Sequence, residues 1–419
     1  MKLAIVGGGS TYTPELIDGF ARYRDILPLE EVALVDPDPR RLELVGGMVR
    51  RMLARAGHPA RVVTTSDVRE GVTGADAVLI QLRVGGQDAR HADETWPHEV
   101  GCIGQETTGP GGFAKALRTV PVVLRIADEV RAHAAPGAWI IDFTNPVGIV
   151  TRALLQAGHR AVGLCNVAIG FQRRFAAMLG VDPDEVALGH VGLNHLTWER
   201  SVSVAGRDIL PELLRDRLGD LADDVHASPS LLTQLGVVPS YYLRYFYAHD
   251  LVLAEQLAEP SRAEAVRAIE NELLTMYADP SVDQKPEALE RRGGAFYSEA
   301  AIELLAAIRG ADAPARVVNL RNGGVLPFLP DDHVIEVPAR YVDGVFVAEP
   351  VAALDDDIRG LVSTVAGYER LALDAAVQGG RDRVVRAMRA HPLVLQHDRA
   401  ERLTDLLLHE NRGFLEWAR

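Results

Sequence analysis

The chain opens on a short, mostly apolar run, Lys2 to Val6, that ends in three consecutive glycines, Gly7, Gly8 and Gly9. An apolar run cut off by a turn signal reads as a strand buried on both faces. Similar runs recur at 31–35, 62–64, 77–82, 139–142 and 161–164. Between them the apolar positions fall three and four apart, as on a helix with one buried face. The first such segment starts at Thr13-Pro14, where proline suits the opening turn, and the second runs from Pro39 to Ala56. Strands alternating with helices predict a parallel sheet covered on both sides.

The pattern changes after residue 185. Strands are expected at 186–196 and 198–204, then helices at 227–236, 241–257, 261–277 and 286–308. Short strands return at 317–320, 334–337 and 345–348, with Asp343-Gly344 as a hairpin turn between the last two. Helices over 353–390 and 397–412 close the chain. The expected fold is therefore α/β. Residues 1–185 are expected to form a Rossmann-like, doubly wound parallel sheet. Residues 186–419 are expected to form a mainly helical α+β domain. The whole is similar in outline to the malate and lactate dehydrogenases.

Composition narrows the setting. The 419 residues are 47% hydrophobic, enough for a sizeable core, and their net charge of −14 argues against nucleic acid or an anionic membrane as partner. The opening MKLAIVGGGS is too soon interrupted by Gly and Ser for a secretory signal, and no apolar stretch reaches transmembrane length. With only Cys102 and Cys165 present, a reducing, cytoplasmic setting is expected.

Within this frame the polar residues take on meaning. A glycine turn between a first strand and first helix lets backbone N–H groups approach a pyrophosphate. Gly7 and Gly9 fit the first two glycines of the dinucleotide fingerprint, whereas Tyr12 stands at the third. Ser10 and Thr11 add hydroxyls. Asp36 ends the second strand, where a carboxylate accepts from ribose hydroxyls and repels a 2′-phosphate, so NAD is expected over NADP. Cys165 and Asn166 follow the strand 161–164, and His195 ends an apolar stretch. One thiolate and one imidazole suit a divalent metal with room for substrate oxygens, although a lone Cys is more often a buried small hydrophobe and a lone His more often a satisfied core residue. Asn145-Pro146 follows the strand 139–142, as a ligand group or a turn. Residues 101–112 hold five glycines among polar side chains and read as a loop that is either mobile or packed close to a ligand. Arg83, Arg90 and Arg262 offer guanidinium forks for a phosphate or carboxylate. Residues 238–247 pack four tyrosines into ten positions, and a tyrosine beside positive charge is a usable base.

Taken in order, GGGSTYTPE, RVGGQDAR, GQETTGPGG, FTNPVGIV, GLCN, GLNH and PSYYLRYFY, followed by VIEVP at 334–338, resemble the family 4 glycoside hydrolases over essentially the whole chain. The likeness leans toward the 6-phospho-β-glucosidases of that family. The family is an exception to the two-carboxylate rule of glycoside hydrolysis. The resemblance implies that NAD⁺ oxidises carbon 3 of the sugar and that a divalent metal, usually Mn²⁺, steadies the oxygens on carbons 2 and 3. It implies too that a tyrosine removes the carbon 2 proton before the leaving group departs, that water then adds, and that the hydride returns. By the same resemblance Cys165 and His195 are the metal ligands and Tyr242 is the base, with Tyr241 as the fallback in the doubled tyrosine. Arg90, Asn145 and Arg262 hold the sugar and its 6-phosphate, with Arg83 in support. Gly7, Gly8, Gly9, Ser10 and Asp36 form the NAD site. Asn166 is placed at the sugar and stands where the α-specific members carry Asp, so it points to β-linkages. A homodimer or homotetramer is expected.

Three other readings stay open at this level. One is a family 4 enzyme acting on an α-linked or unphosphorylated substrate such as a galacturonide. Another is a plain NAD-dependent hydroxy-acid dehydrogenase, and the last is a non-catalytic NAD or sugar sensor.

Overall fold

The computed structural model describes residues 1–293, 296–310 and 314–418. They form two compact units. One comprises Met1–Ala89, Thr119–Asn166 and Arg262–Pro314, the other Arg90–Arg118, Val167–Ser261 and Ala315–Arg419. The sequence reading draws a single boundary after residue 185, whereas the structure interleaves the segments. Long-range side-chain contacts explain the difference. Arg51 donates to the carbonyl oxygens of Tyr277 and Val282, and the Tyr277 hydroxyl donates to Thr11 O, so the 262–314 segment belongs with the first helices. Arg118 donates to Asp93 and to Asn411, which ties 90–118 to the C-terminal helices.

The first unit carries six parallel strands: β1 (Lys2–Val6), β2 (Glu31–Val35), β3 (Arg61–Thr65), β4 (Ala77–Ile80), β5 (Trp139–Asp142) and β6 (Ala161–Gly163). Their order is β3-β2-β1-β4-β5-β6, with Leu3 opposite both Val32 and Ala77. Leu3, Ile5, Val32, Leu34, Val78 and Leu79 have no exposed surface, as expected of strands covered on both faces. The order reverses between β1 and β4, and in such sheets a crevice opens beyond the strand ends at that point. This is the Rossmann-like, doubly wound sheet expected from the chain.

The second unit is antiparallel in its sheet and otherwise helical. Its strands are β7 (Val186–Leu193), β8 (Leu196–Val204), β9 (Arg207–Asp208), β10 (Val238–Pro239), β11 (Arg316–Arg321), β12 (Val334–Val342) and β13 (Val345–Ala348). β7 and β8 form a hairpin closed by Asn194-His195 alone, since Leu193 pairs Leu196. β12 lies against β7 through Glu336 and Gly192 and carries β11 and β13. At Gly192, with φ of 148°, a Cβ would lie 2.0 Å from Leu196 O, so only glycine permits so tight a hairpin.

Three expectations need correction. Residues 109–112 are not loop: they begin the helix Gly109–His133. A Cβ at Gly111 would lie 2.3 Å from Asp93 O, so these glycines serve close packing of that helix start. The long helix expected at 353–390 is two, Asp356–Gln378 and Arg381–Ala390, because Gly379 and Gly380 take positive φ between them. The helix expected at 286–308 appears as Ala288–Arg292 and Tyr297–Ile308, while positions 294 and 295 of that expectation lie outside the described residues. Among the described residues no helix is long and apolar enough to cross a membrane.

Candidate active site

In the first unit the strand ends enclose a cavity of about 790 Å³, lined by Gly7, Gly9, Ser10, Asp36, Arg83 and Arg292 among others. The glycines are dictated by space. A Cβ on Gly7 would sit 2.4 Å from Gln81 O, and one on Gly9 would sit 2.7 Å from Asp36 Cγ. Gly8 has a different task. Its N–H donates to Val35 O at 2.9 Å, which anchors the turn to the sheet, and a Cβ on it would lie 2.8 Å from Leu34 Cα. Asp36 accepts from the N–H groups of Gly9 (3.1 Å) and Asp38 (3.0 Å). Burial raises its pKa, while those two donors and Arg41 work in the opposite direction. Tyr12, at the position of the third fingerprint glycine, is buried edge-on against Tyr297, 6.1 Å between centroids. The helix Thr13–Arg22 here packs on the helix Tyr297–Ile308, with Gly19 supplying the close approach to Ser298.

The second unit holds the other expected chemistry on its hairpin. His195 occupies the turn with φ of 62°, a conformation strained for a side chain with a Cβ. Its ring is buried and stacks on Tyr242 at 3.6 Å, and its Nδ1 lies 3.0 Å from Thr107 Oγ1. The Thr107 hydroxyl gives its own proton to Gln105 Oε1 at 2.9 Å. It therefore accepts from His195, which places the ring proton on Nδ1 and the lone pair on Nε2. Burial is the main cause of a His195 pKa lowered to about 4, with Lys115 contributing in the same direction, so the ring is neutral at neutral pH. A neutral imidazole with an oriented lone pair is what a metal requires.

Of the doubled tyrosines, the structure puts Tyr242 on His195. Tyr241 is partly exposed and meets Tyr242 only edge-on, with the Arg244 guanidinium 5.6 Å above its ring. Arg90 Nε lies 2.7 Å from Glu94 Oε1 and 3.2 Å from Glu106 Oε1, and Lys115 takes the other Glu106 oxygen at 2.7 Å. Burial works against the Arg90 charge, yet Glu106, Glu94 and Tyr242 outweigh it and hold its pKa above the ordinary value. Arg90 is thus a fixed cation whose field reaches the Tyr242 phenol.

Beneath the hairpin lies a buried polar group that the sequence reading missed. His190 donates from Nδ1 to Glu199 (2.5 Å) and from Nε2 to Glu336 (3.0 Å). Glu336 also accepts from Asn194 (3.0 Å) and Asn319 (2.8 Å). Burial disfavours the imidazolium, but the two carboxylates prevail and raise its pKa to about 10. Asn194 is thereby held next to His195. A histidine interrupting an apolar strand was the available signal. Thr107 and Glu106 lay inside the loop singled out for ligand contact, but nothing in their spacing distinguished them.

The remaining candidates sit at strand or helix ends of the first unit. Cys165 follows β6 and is buried, with Asn166 next to it. Asn145 follows β5, is joined to Pro146 by a cis peptide, and has a buried Oδ1 without a hydrogen-bond partner among the described residues. Arg262 starts the helix Arg262–Ala278 and donates to the carbonyl oxygens of Arg291 (3.0 Å) and Arg292 (3.4 Å). Among the described residues no group of three or more His, Cys, Asp or Glu is placed to hold a metal.

Known proteins bear on this site. Residues 2–181 match the family 4 glycosyl hydrolases, and residues 190–394 match the C-terminal domain of the same family. The chain is 38% identical over 431 residues to a probable 6-phospho-beta-glucosidase of Bacillus subtilis, covering 99% of this chain and 97% of that one. It is 35% identical to a 6-phospho-beta-glucosidase of Escherichia coli, covering 98% and 95%. The 6-phospho-beta glucosidase of Thermotoga maritima, solved with manganese, NAD⁺ and glucose-6-phosphate, superposes with a TM-score of 0.91 at 31% identity over 99% of both chains. With both parts of the family's pattern present in order, and such relatives along nearly its full length, the chain belongs to the family 4 glycosyl hydrolases.

Proposed function

We propose that the chain is an NAD- and divalent-metal-dependent 6-phospho-β-glucosidase, hydrolysing small phosphorylated β-glucosides. The observation that carries this reading is the pairing of His195 and Tyr242: a neutral imidazole with its lone pair oriented, stacked on a phenol beside the Arg90 cation. A dehydrogenase acting on a hydroxy acid has no use for such a pair. The likeness to 6-phospho-beta-glucosidases and the Asn at position 166 favour the β-linked, phosphorylated substrate.

The residues fit both cofactors. NAD is suited by a cavity of about 790 Å³ whose glycine turn admits no side chain at positions 7 and 9. Gly7, Gly9 and Ser10 would hold its diphosphate, Gly8 anchors the turn, and Asp36 would accept from the adenosine ribose. Bound NAD supplies a reversible hydride acceptor for carbon 3 of the sugar. Cys165 and His195 are the residues that would hold Mn²⁺ or a similar ion, a soft and a borderline donor that would leave positions for substrate oxygens. The metal supplies a Lewis acid at the oxygens of carbons 2 and 3.

The chain's own groups do the rest. Tyr242 takes the carbon 2 proton. Arg90, Asn145 and Arg262 hold the sugar and its 6-phosphate, with Arg83 in support, and Asn145 brings a buried acceptor to a sugar hydroxyl. Asn166 cannot protonate a leaving group as Asp would, which suits β-glycosides with modest demand for acid help. A cytoplasmic homodimer or homotetramer completes the reading.

The test is turnover of p-nitrophenyl β-glucoside 6-phosphate, its α-anomer and its unphosphorylated parent, with NAD⁺ and Mn²⁺ omitted in turn. The β-phosphate is expected to react, only with both cofactors present and without accumulation of free NADH. Steady NADH release from a hydroxy acid, or turnover without metal, would overturn the proposal.

A further inference from the structure

The glycine turn is overlooked by an ion cluster that no motif announces. Arg292 ends the helix Ala288–Arg292, and Arg262 pins that end through the two carbonyl oxygens named above. Its Nε donates to Thr11 Oγ1 at 2.8 Å, and its Nη2 lies 3.5 Å from Ser10 Oγ and 3.1 Å from Glu270 Oε1. The other oxygen of Glu270 takes Arg41 Nη2 at 3.0 Å, and the Thr11 hydroxyl donates to Glu270 at 3.3 Å. Arg41, Glu270 and Arg292 line the same cavity as Gly7, Gly9 and Ser10, and so does Arg83.

One carboxylate is thus shared by two guanidiniums, so the trio keeps a net positive charge directly beside the turn. Burial and the Arg83 charge both press against the Arg292 cation, with Glu270 opposing them. A doubly negative diphosphate is the ligand chemistry that relieves this crowding, because a guanidinium fork binds phosphate oxygens more strongly than it binds a neutral hydroxyl. We infer that Arg292 is a diphosphate-binding residue of the dinucleotide site, and that Glu270 competes with the diphosphate for it. The inference rests on the NAD reading above and adds to it a residue from outside the glycine turn. Glu270 holds Arg41 and Arg292 in place beforehand and yields Arg292 when the dinucleotide binds.

The two residues therefore have effects of opposite sign, which a merely structural role for the cluster does not produce. The experiment is direct binding of NAD⁺ and ADP by calorimetry, and of adenosine by ligand-observed NMR, to the full chain and its variants. Arg292→Gln is expected to weaken NAD⁺ and ADP by about tenfold, the worth of one charge-assisted hydrogen bond, and to leave adenosine unchanged. Arg292→Lys recovers part of the loss. Glu270→Gln tightens ADP, and a thermal melt shows whether that variant is folded; Arg292→Gln decides the matter alone if it is not. Unchanged ADP affinity in Arg292→Gln, or an equal loss for adenosine, overturns the inference. Failure of the unaltered protein to bind NAD⁺ overturns the cofactor reading itself.

Discussion

The rings of His195 and Tyr242 lie face to face, 3.6 Å between centroids and 7° from parallel. The stack fixes the phenol against a hairpin imidazole whose Nδ1 is engaged by Thr107. It also separates the two adjacent tyrosines, since Tyr241 touches His226, Tyr242 and Tyr245 only edge-on. Tyr242→Phe preserves the ring and the stack and removes only the hydroxyl. It is expected to lower kcat by about a hundredfold or more, within the range for loss of a general base. Metal affinity stays near normal and solvent deuterium no longer enters carbon 2. Tyr241→Phe keeps most of the activity. Normal carbon 2 exchange in the Tyr242 variant would remove that residue from the role of base.

Thr107 sets the His195 tautomer, because its hydroxyl proton is already committed to Gln105 and its oxygen must accept. Thr107→Val keeps the shape and removes the acceptor. Metal affinity is expected to fall by about ten- to a hundredfold, the usual effect of losing such an outer hydrogen bond to a ligating histidine. Thr107→Ser restores it. Calorimetric titration with Mn²⁺ reads the difference, and equal affinity in the Val variant would show that the ring needs no such partner. Cys165→Ser and His195→Ala, by contrast, remove proposed ligands and should abolish metal-dependent turnover.

The buried imidazolium of His190 links stability to pH. Its pKa in the folded chain, about 10, lies above the ordinary value near 6.5. The stabilisation it brings is therefore fully present below about pH 6.5 and is lost as pH rises through the folded value. Denaturant midpoints are expected to decline from neutral pH toward pH 10, and to decline less in His190→Gln. Glu336→Gln leaves the cation with Glu199 alone and also weakens the hold on Asn194. It should cost about 3–5 kcal/mol, as breaking a buried ion pair does. A flat stability profile in the unaltered protein would show that His190 is neutral.

How much of this was legible beforehand depended on where each signal lay along the chain. Buried parallel strands are continuous apolar runs, so β1, β2 and β5 were placed at their observed ends. The glycine turn and Asp36 could be read because both follow strands directly. The interleaving of segments could not, since Arg118 and Asn411 meet across 293 residues and neither is apolar. Gly109 to Gly112 misled for a physical reason: glycines that admit neighbouring backbone look, in one dimension, like glycines that loosen a loop. Arg292 and Glu270 reach the cavity at the glycine turn from a segment more than two hundred residues beyond it, and no local pattern marks them.

Cofactor choice is the most economical test of the strand-end acid. The Asp36 carboxylate is committed on both oxygens, to the N–H groups of Gly9 and Asp38, and keeps further lone pairs for ribose hydroxyls. Asp36→Asn changes two things at once. The amide nitrogen faces a backbone N–H that it cannot accept from, which disturbs the turn, and the negative charge that repels a 2′-phosphate disappears. NAD⁺ affinity is therefore expected to fall by about tenfold while NADP⁺ loses less or gains, so the ratio of their dissociation constants narrows. The charge effect is separable from the turn effect by salt. Discrimination against NADP⁺ in the unaltered protein should weaken as ionic strength rises, and in Asp36→Asn it should not. If both proteins prefer NAD⁺ by the same factor at every salt concentration, the 2′-position is read by shape, and the carboxylate at residue 36 is there for the turn alone.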